Sequence, residues 1–304
     1  MTDSPLISVI IPHLNQQQAL EACLRSLDAQ TLERSHFEII VVDNGSSCVP
    51  EHVVASCPGA RLFRETRPGP GPARNVGIQH ATGDILAFID ADCRAHPDWL
   101  HNALQTLTNA PKSTILGGDV QIWRARANSY TAIEAYESVF GYRFKLYIEQ
   151  HGFCGTGNLV VRRADFEKVG PFAGIQFAED IDWGQRARAA GFRFQYVSDM
   201  IVFHPARASL DELYAKWDRH IQHFLNMARA KPAWKVRWIA RAIAVLGSPM
   251  VDFAKVLTSD RVHGASSRLR AISVLCAIRV HRARKMLSLL STSKGVVWNR
   301  GIEA

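Results

Sequence analysis

The stretch Gly83-Asp84-Ile85-Leu86-Ala87-Phe88-Ile89-Asp90-Ala91-Asp92 decides how the rest of the chain is read. Ile85 to Ile89 is an unbroken apolar run, the pattern of a strand covered on both faces. Two carboxylates follow at its C-terminal end, where open α/β sheets hold their ligands. On an extended backbone, residues two apart point the same way, so Asp90 and Asp92 are expected to face one crevice. Carboxylates suit a hard divalent cation such as Mg²⁺ or Mn²⁺, which such sites usually share with phosphates. Taken alone, Asp-x-Asp fits an ordinary turn as well. Its neighbours carry the decision.

Upstream, Leu6 to Ile11 reads as a buried strand stopped by Pro12. Gln16 to Gln30 places Leu20, Cys23, Leu24 and Leu27 at helical spacing. Phe37 to Val42 is a second strand, ending in the turn-forming run Asp43-Asn44-Gly45-Ser46-Ser47. This strand–helix–strand order predicts a parallel, doubly wound α/β sheet. Further on, Arg67-Pro-Gly-Pro-Gly-Pro72 excludes a helix, and Arg74-Asn75-Val76-Gly77 opens one. Ile115 to Ile122 is expected to be a strand, with Gly117-Gly118 marking a bulge or a close approach. Tyr130 to Gln150 is expected to be helical and leads to Gly155-Thr156-Gly157-Asn158 and a strand over Leu159 to Val161. Glu179, Asp180 and Asp182 begin a helix that Gly191 ends. Two extended segments, Phe192 to Val197 and Met200 to Phe203, then reach His204-Pro205.

The 304 residues hold 36 Lys and Arg against 28 Asp and Glu. The excess is uneven: from Arg207 onward there are 18 basic and 6 acidic residues, and before it 18 and 22. Six cysteines without a Cys-x-x-Cys pair read as free thiols in a reducing compartment. The polar Met1 to Pro5 predicts no signal peptide, and no apolar run is long enough to span a bilayer. These features imply a cytoplasmic enzyme, with its basic last third free to rest on the inner face of the cell membrane.

In their order, the motifs resemble those of family 2 glycosyltransferases of the GT-A fold. Val9-Ile-Ile-Pro12-x-x-Asn15 resembles the opening strand of that family, and Val41-Val-Asp43-Asn-Gly-Ser46 its base-binding motif. Arg74-Asn75-x-Gly77, Asp90-Ala-Asp92, Gly157-Asn158, Glu179-Asp180 and His204 follow in family order. The resemblance covers residues 6 to 206, about two thirds of the chain, and rests on the ordered set. It implies a GT-A domain over residues 1–206, with a Rossmann-like, mostly parallel sheet flanked by helices. Residues 207–304 would form a basic, helical C-terminal extension. It also implies an inverting, metal-dependent transfer of one sugar from a nucleotide-diphosphate sugar to an acceptor hydroxyl.

By that resemblance Asp92 and His204 hold the divalent cation, while Asp90 touches the ribose or donor sugar. A backbone-bonded histidine is the plainer reading of His204. Asp43 would accept a hydrogen bond from a base imide, favouring UDP- or dTDP-sugars, or would simply stabilise its Asn-Gly turn. Arg74 would fork onto phosphate or base, or be a solvated residue beside the Pro/Gly loop. Asp180 would be the general base, or one of several acids serving a helix dipole. Pro12, Asn15, Asn158 and Glu179 complete the expected donor site. Trp183 suits the core better than a sugar face.

Trp234 to Arg241 and Arg268 to Leu290 read as basic amphipathic helices, suited to an anionic bilayer surface or to packing on the core. The acceptor would be a lipid-linked or cell-surface glycan. A nucleotidyltransferase would need a Gly-rich phosphate loop after the first strand, where Pro12-His-Leu-Asn15 stands instead. A catalytically silent membrane scaffold would have no chemical need for Asp90, Asp92, Asp180 and His204 together. No zinc-finger or single-strand aromatic motif supports nucleic-acid binding.

Overall fold

The computed structural model describes residues 6–126, 129–176 and 178–291. Met1 to Pro5 and residues 292–304 of the expected extension lie outside them. The chain divides into two compact units: residues 6–121 with 143–204, and residues 122–142 with 205–291. The second unit thus takes in an internal segment that sequence order alone assigns to the first.

The first unit is built on a sheet whose early strands are β1 (Ile7–His13), β2 (Phe37–Asp43), β3 (Ala60–Arg64) and β4 (Ile85–Ile89). The later strands are β5 (Arg94–Ala95), β6 (Thr114–Trp123), β7 (Asn158–Arg162) and β8 (Arg193–Pro205). Their spatial order is β3-β2-β1-β4-β7-β6-β8-β5. The first four pair in parallel, whereas β7 joins β4 antiparallel and also pairs antiparallel with β6. The parallel half is the one whose strands read as continuous apolar runs, and β1, β2 and β4 are buried almost throughout. The two segments expected near residues 192–203 are one 13-residue strand, β8. Pro12 continues β1 instead of ending it. It pairs in register with Val42, beyond Ile10, where pairing with β4 stops and a missing N–H is tolerated.

Helix α1 (Gln17–Asp28) buries Leu20, Cys23, Leu24 and Leu27 against the sheet, as their spacing requires. Helix α2 is Glu51–Ala55, and α3 (Pro70–His80) begins inside the Pro/Gly run that was expected to exclude a helix, four residues before Arg74: Pro70 occupies its first turn, where no N–H partner is needed, after Gly69 at φ 118°. The Arg-Asn-x-Gly motif sits inside α3, and each of its residues has a separate task. Asn75 exchanges two 2.9 Å hydrogen bonds with the backbone of Phe172. Gly77 lets α3 lie on β1, since a Cβ there would stand 2.5 Å from Ile10 Cγ2. Helices α4 (Trp99–Asn109), α5 (Ala132–Phe140) and the short α6 (Phe144–Leu146) follow. The region expected to be helical over 130–150 is so in three pieces, ending in a π-turn over Tyr147–His151. Helices α7 (Arg163–Val169) and α8 (Glu179–Ala189) complete the first unit. Trp183 of α8 is buried, stacks on Phe166 and donates from its indole nitrogen to the Gly170 carbonyl, so it is a core residue.

The second unit consists of α5 with α9 (Leu210–Arg229), α10 (Trp234–Gly247), α11 (Pro249–Leu257) and α12 (Ala265–Ser288). Helix α12 is its axis, burying Ala271, Val274, Leu275, Ile278 and Met286 among the others. For two basic residues of α12 the packed alternative holds, while Arg270 and Arg284 stay exposed. Arg282 is buried with its guanidinium 3.8 Å from the Trp217 ring centre, and Arg279 pairs with the buried Asp252 at 2.7 Å. Among the described residues no helix is long and apolar enough to cross a membrane.

Gly117 and Gly118 mark a close approach. A Cβ on Gly118 would stand 2.1 Å from the Met200 carbonyl oxygen and 2.3 Å from Asn158 Nδ2. Gly118→Ala is expected to cost about 2 kcal/mol and to lower Tm by roughly 4–8 °C. An unchanged melting curve would show that the strands can separate freely at this point.

Candidate active site

The C-terminal ends of β1, β2 and β4 carry the chemistry. Parallel register sets His13 beside Asp43, and the His13 Nδ1 to Asp43 Oδ1 distance is 3.0 Å, with both residues buried. The Gln16 backbone N–H donates to His13 Nε2, so Nδ1 carries the proton and donates to the carboxylate. The other oxygen, Oδ2, accepts from the backbone N–H groups of Gly45 and Ser46. Hydrogen bonds from Ser46 and His13 outweigh burial and hold the Asp43 carboxyl below its ordinary range. Asp43 is only 2% exposed and both its oxygens are engaged within the chain. The turn-stabilising reading is the one its bonds describe. His13 follows the Pro12 at which the sequence reading ends the first strand; it is the last residue of β1, and the register with Asp43 gives it meaning.

Two asparagines brace this rim. Asn15, at φ 54°, accepts from Ser47 through its backbone N–H and hydroxyl. Asn44 donates to the carbonyls of Glu65 and Arg67 and accepts from the Gly69 N–H. An aspartate could not make the first two bonds, which explains an amide at this position.

Asp90 and Asp92 are not on the strand. β4 ends at Ile89, and the Cys93 N–H to Asp90 carbonyl bond of 3.0 Å closes a turn over the pair. The turn sends the two carboxylates to different partners. Asp90 accepts from Arg74 Nη2 at 2.5 Å, while Arg74 Nη1 reaches Glu179 Oε1 at 3.1 Å. Arg74 is buried, so its fork is spent on two carboxylates and not on solvent. This replaces the expectation of a phosphate- or base-facing arginine. Gly157 stands against the same group, since a Cβ there would lie 2.8 Å from Asp90 Oδ2.

Asp92 meets His204, with Nε2 3.4 Å from Oδ2. Together with Cys93, their ligand atoms lie within 4.8 Å of one another. Burial is the first cause raising the Asp92 carboxyl, aided by Asp90 and opposed by His204. Burial also holds the Cys93 thiol well above its ordinary range, so it stays protonated and is a poor ligand for a hard ion. A carboxylate and an imidazole fit Mn²⁺ well and Mg²⁺ less well.

Glu179 and Asp180 open α8. Burial, then the neighbouring Glu179 charge, pushes the Asp180 carboxyl up to about 6, against the pull of the Ile181 N–H and of Arg74. A carboxylate with that affinity can take a proton near neutral pH. Asn158 has a different position from the one expected. Its side chain is wholly buried, accepting from Trp99 Nε1 and donating to the carbonyls of Asp119 and Met200, each at 2.8 Å. It ties β7 to its neighbours and presents no amide to a ligand.

Residues 8–170 match the family model described as Glycosyl transferase family 2. The chain belongs to this family. The glycosyltransferase AglE of Haloferax volcanii is 34% identical over 209 residues, which are 67% of this chain and 68% of AglE. A pre-mycofactocin glycosyltransferase of Mycobacterium tuberculosis is 27% identical over 218 residues, 69% of this chain but 45% of that relative. Among solved structures, the mannosyltransferase PcManGT of Pyrobaculum calidifontis, in complex with GDP-Man and Mn²⁺, superposes with a TM-score of 0.59. It is 19% identical and the match covers 96% of this chain and 88% of that one. TarS 1-349 of S. aureus, in complex with UDP-GlcNAc, gives 0.53 at 18% identity, covering 93% and 92%. These likenesses show the GT-A fold, and the family assignment makes this family 2 member a glycosyltransferase.

Asn158→Ala is expected to destabilise the protein by about 3 kcal/mol, because Trp99 Nε1 and two buried carbonyls lose their partner. The measurement is chemical denaturation. A variant of unchanged stability that lost donor affinity alone would return Asn158 to the ligand site.

Proposed function

We propose that the protein transfers one sugar from a nucleotide-diphosphate sugar to an acceptor hydroxyl, with inversion at the anomeric carbon and with a divalent cation bound. The observation that supports this reading is the buried Arg74, which draws Asp90 and Glu179 together, with Asp180 the next residue after Glu179 at the start of α8. Asp92 and His204 would hold the cation, which when bound stabilises the charge developing on the leaving diphosphate.

The residues of the chain do the rest. Asp180 removes the acceptor hydroxyl proton as that oxygen attacks the anomeric carbon, and the bond from that carbon to the diphosphate oxygen breaks. The proton remains on Asp180, and the electron pair leaves with the nucleoside diphosphate. Attack opposite the leaving group inverts the configuration. Arg74 acts as a positioning residue for Asp90 and Glu179. Asp90 has one oxygen on Arg74 and is more exposed than its partners, leaving an edge for donor hydroxyls. The preference for UDP- or dTDP-sugars rested on a free Asp43 edge. With that carboxylate buried and engaged, no base is favoured, and GDP-sugars belong in the test. The acceptor would be a lipid-linked or cell-surface glycan.

Release of nucleoside diphosphate from UDP-, dTDP- and GDP-sugars with Mn²⁺ or Mg²⁺ tests the reaction. Turnover in one of these series is expected, with a fall of at least about 100-fold in Asp92→Ala and in Asp180→Asn. Asp180→Asn should still bind donor in a thermal-shift assay. Metal-independent turnover, or full activity in Asp180→Asn, would refute the assignment.

The proton affinity of Asp180 sets a pH profile. A base must be ionised, so kcat/KM should rise with pH through about 6 and level off above it. Glu179→Gln removes the like charge and should move that limb to lower pH. A limb that stays put would mean that another group titrates.

A further inference from the structure

The second unit leaves an apolar face exposed on two consecutive helices. On α10, Val236, Ile239, Ile243 and Leu246 fall on one side at three- and four-residue spacing, and Val236 and Ile243 are 70% and 65% exposed. A flanking side of the same helix is the packed one. Trp238 and Ala242 are buried, and Trp238 donates from its indole nitrogen to the Met286 carbonyl. The apolar surface continues onto α11, where Met250 is 78% exposed, Val251 72% and Leu257 54%. Scattered surface hydrophobes are ordinary, but an ordered row over two consecutive helices needs an explanation.

Charge indicates what covers it. Between Asp218 and Asp252 the chain contains no Asp or Glu, yet it carries six basic residues, Arg219, Arg229, Lys231, Lys235, Arg237 and Arg241. Lys231, Lys235, Arg237 and Arg241 are exposed. Asp252 is buried and neutralised by Lys255 and Arg279, so it places no negative charge on this surface.

We propose that the exposed face of α10 and α11 docks in the plane of an anionic lipid bilayer. The apolar row enters the acyl boundary, while the lysines and arginines reach back to phosphate headgroups. Helix α10 has 14 residues, about 21 Å by helical rise, shorter than the ~30 Å hydrocarbon core. It therefore lies on the bilayer and does not cross it. A second copy of this chain is a poorer occupant, because a two-fold contact would set one basic fringe against the other. The proposal does not rest on the transfer chemistry.

The test is co-sedimentation of the full chain with vesicles of phosphatidylcholine alone, or of phosphatidylcholine with phosphatidylglycerol. Binding to the anionic vesicles is expected, weakening with added salt and falling about tenfold or more in the double variant Ile243→Ser, Met250→Ser. Both positions are exposed, so the variant should keep the wild-type melting curve and donor turnover. Arg284→Gln, an exposed charge on α12 and not on α10 or α11, should bind within about twofold of wild type. Three results would overturn the proposal: no vesicle binding, equal binding by the double variant, or a dimer seen by light scattering that the double variant dissolves. Vesicle binding by a wild-type chain that turns over no donor would count against the transferase reading and leave the membrane face standing.

Discussion

One buried guanidinium organises the candidate site. Arg74 lies 16 residues before Asp90 and 105 before Glu179, yet it bonds to both. Without it, carboxylates from a strand-end turn and from a helix start would face each other with no counter-charge. With it, each acid gains a charge-assisted bond, and the first turn of α8 is anchored next to the turn after β4. Its Nε is buried without a hydrogen-bond partner. The arrangement therefore retains an unsatisfied donor and relies on the two tip nitrogens. Because Glu179 precedes Asp180 directly, this anchor also fixes where the proposed base stands and keeps a like charge beside it.

The scaffold around that anchor depends on groups able to donate and accept at once. Asn44 holds the Glu65–Gly69 loop, Asn75 clamps the backbone at Phe172, and Asn158 ties three strands together from inside the sheet. A carboxylate at any of these positions would leave carbonyl groups facing carboxylate oxygens. Small residues do the complementary work. Gly77, Gly118 and Gly157 each stand where a Cβ would meet a strand side chain, a carbonyl or Asp90. Close approach of backbone to backbone is what allows polar side chains to be satisfied so deep in the fold.

In the helical unit the basic excess has two fates. On α12 and its neighbours, several cations are drawn inward and compensated: Arg282 by the Trp217 ring, Arg279 by Asp252, and Arg207 by Glu137. Burial is nonetheless costly, and it pulls Arg282 down to about 10 and Lys216 to about 8. On α10 the cations stay outside and border apolar residues. Composition alone treats these two populations as one, since it counts charges without regard to which face of which helix they occupy.

The sequence by itself determined the elements that depend on local pattern. The apolar runs of β1, β2 and β4 and the α1 stripe follow from periodicity, which acts over a few residues, whereas α3 begins at Pro70, inside the Pro/Gly run expected to exclude a helix, because a proline in the first turn needs no N–H partner. The ordered motifs likewise pointed to the family. Only the tertiary structure decided what those residues touch. It turned Arg74 from phosphate toward Asp90 and Glu179, buried Asn158 as a strand tie, engaged Asp43 with His13, and joined residues 122–142 to the C-terminal helices. The physical reason is common to all four. A side chain's partner is set by register and packing between segments tens of residues apart, and nothing in its local pattern encodes that choice.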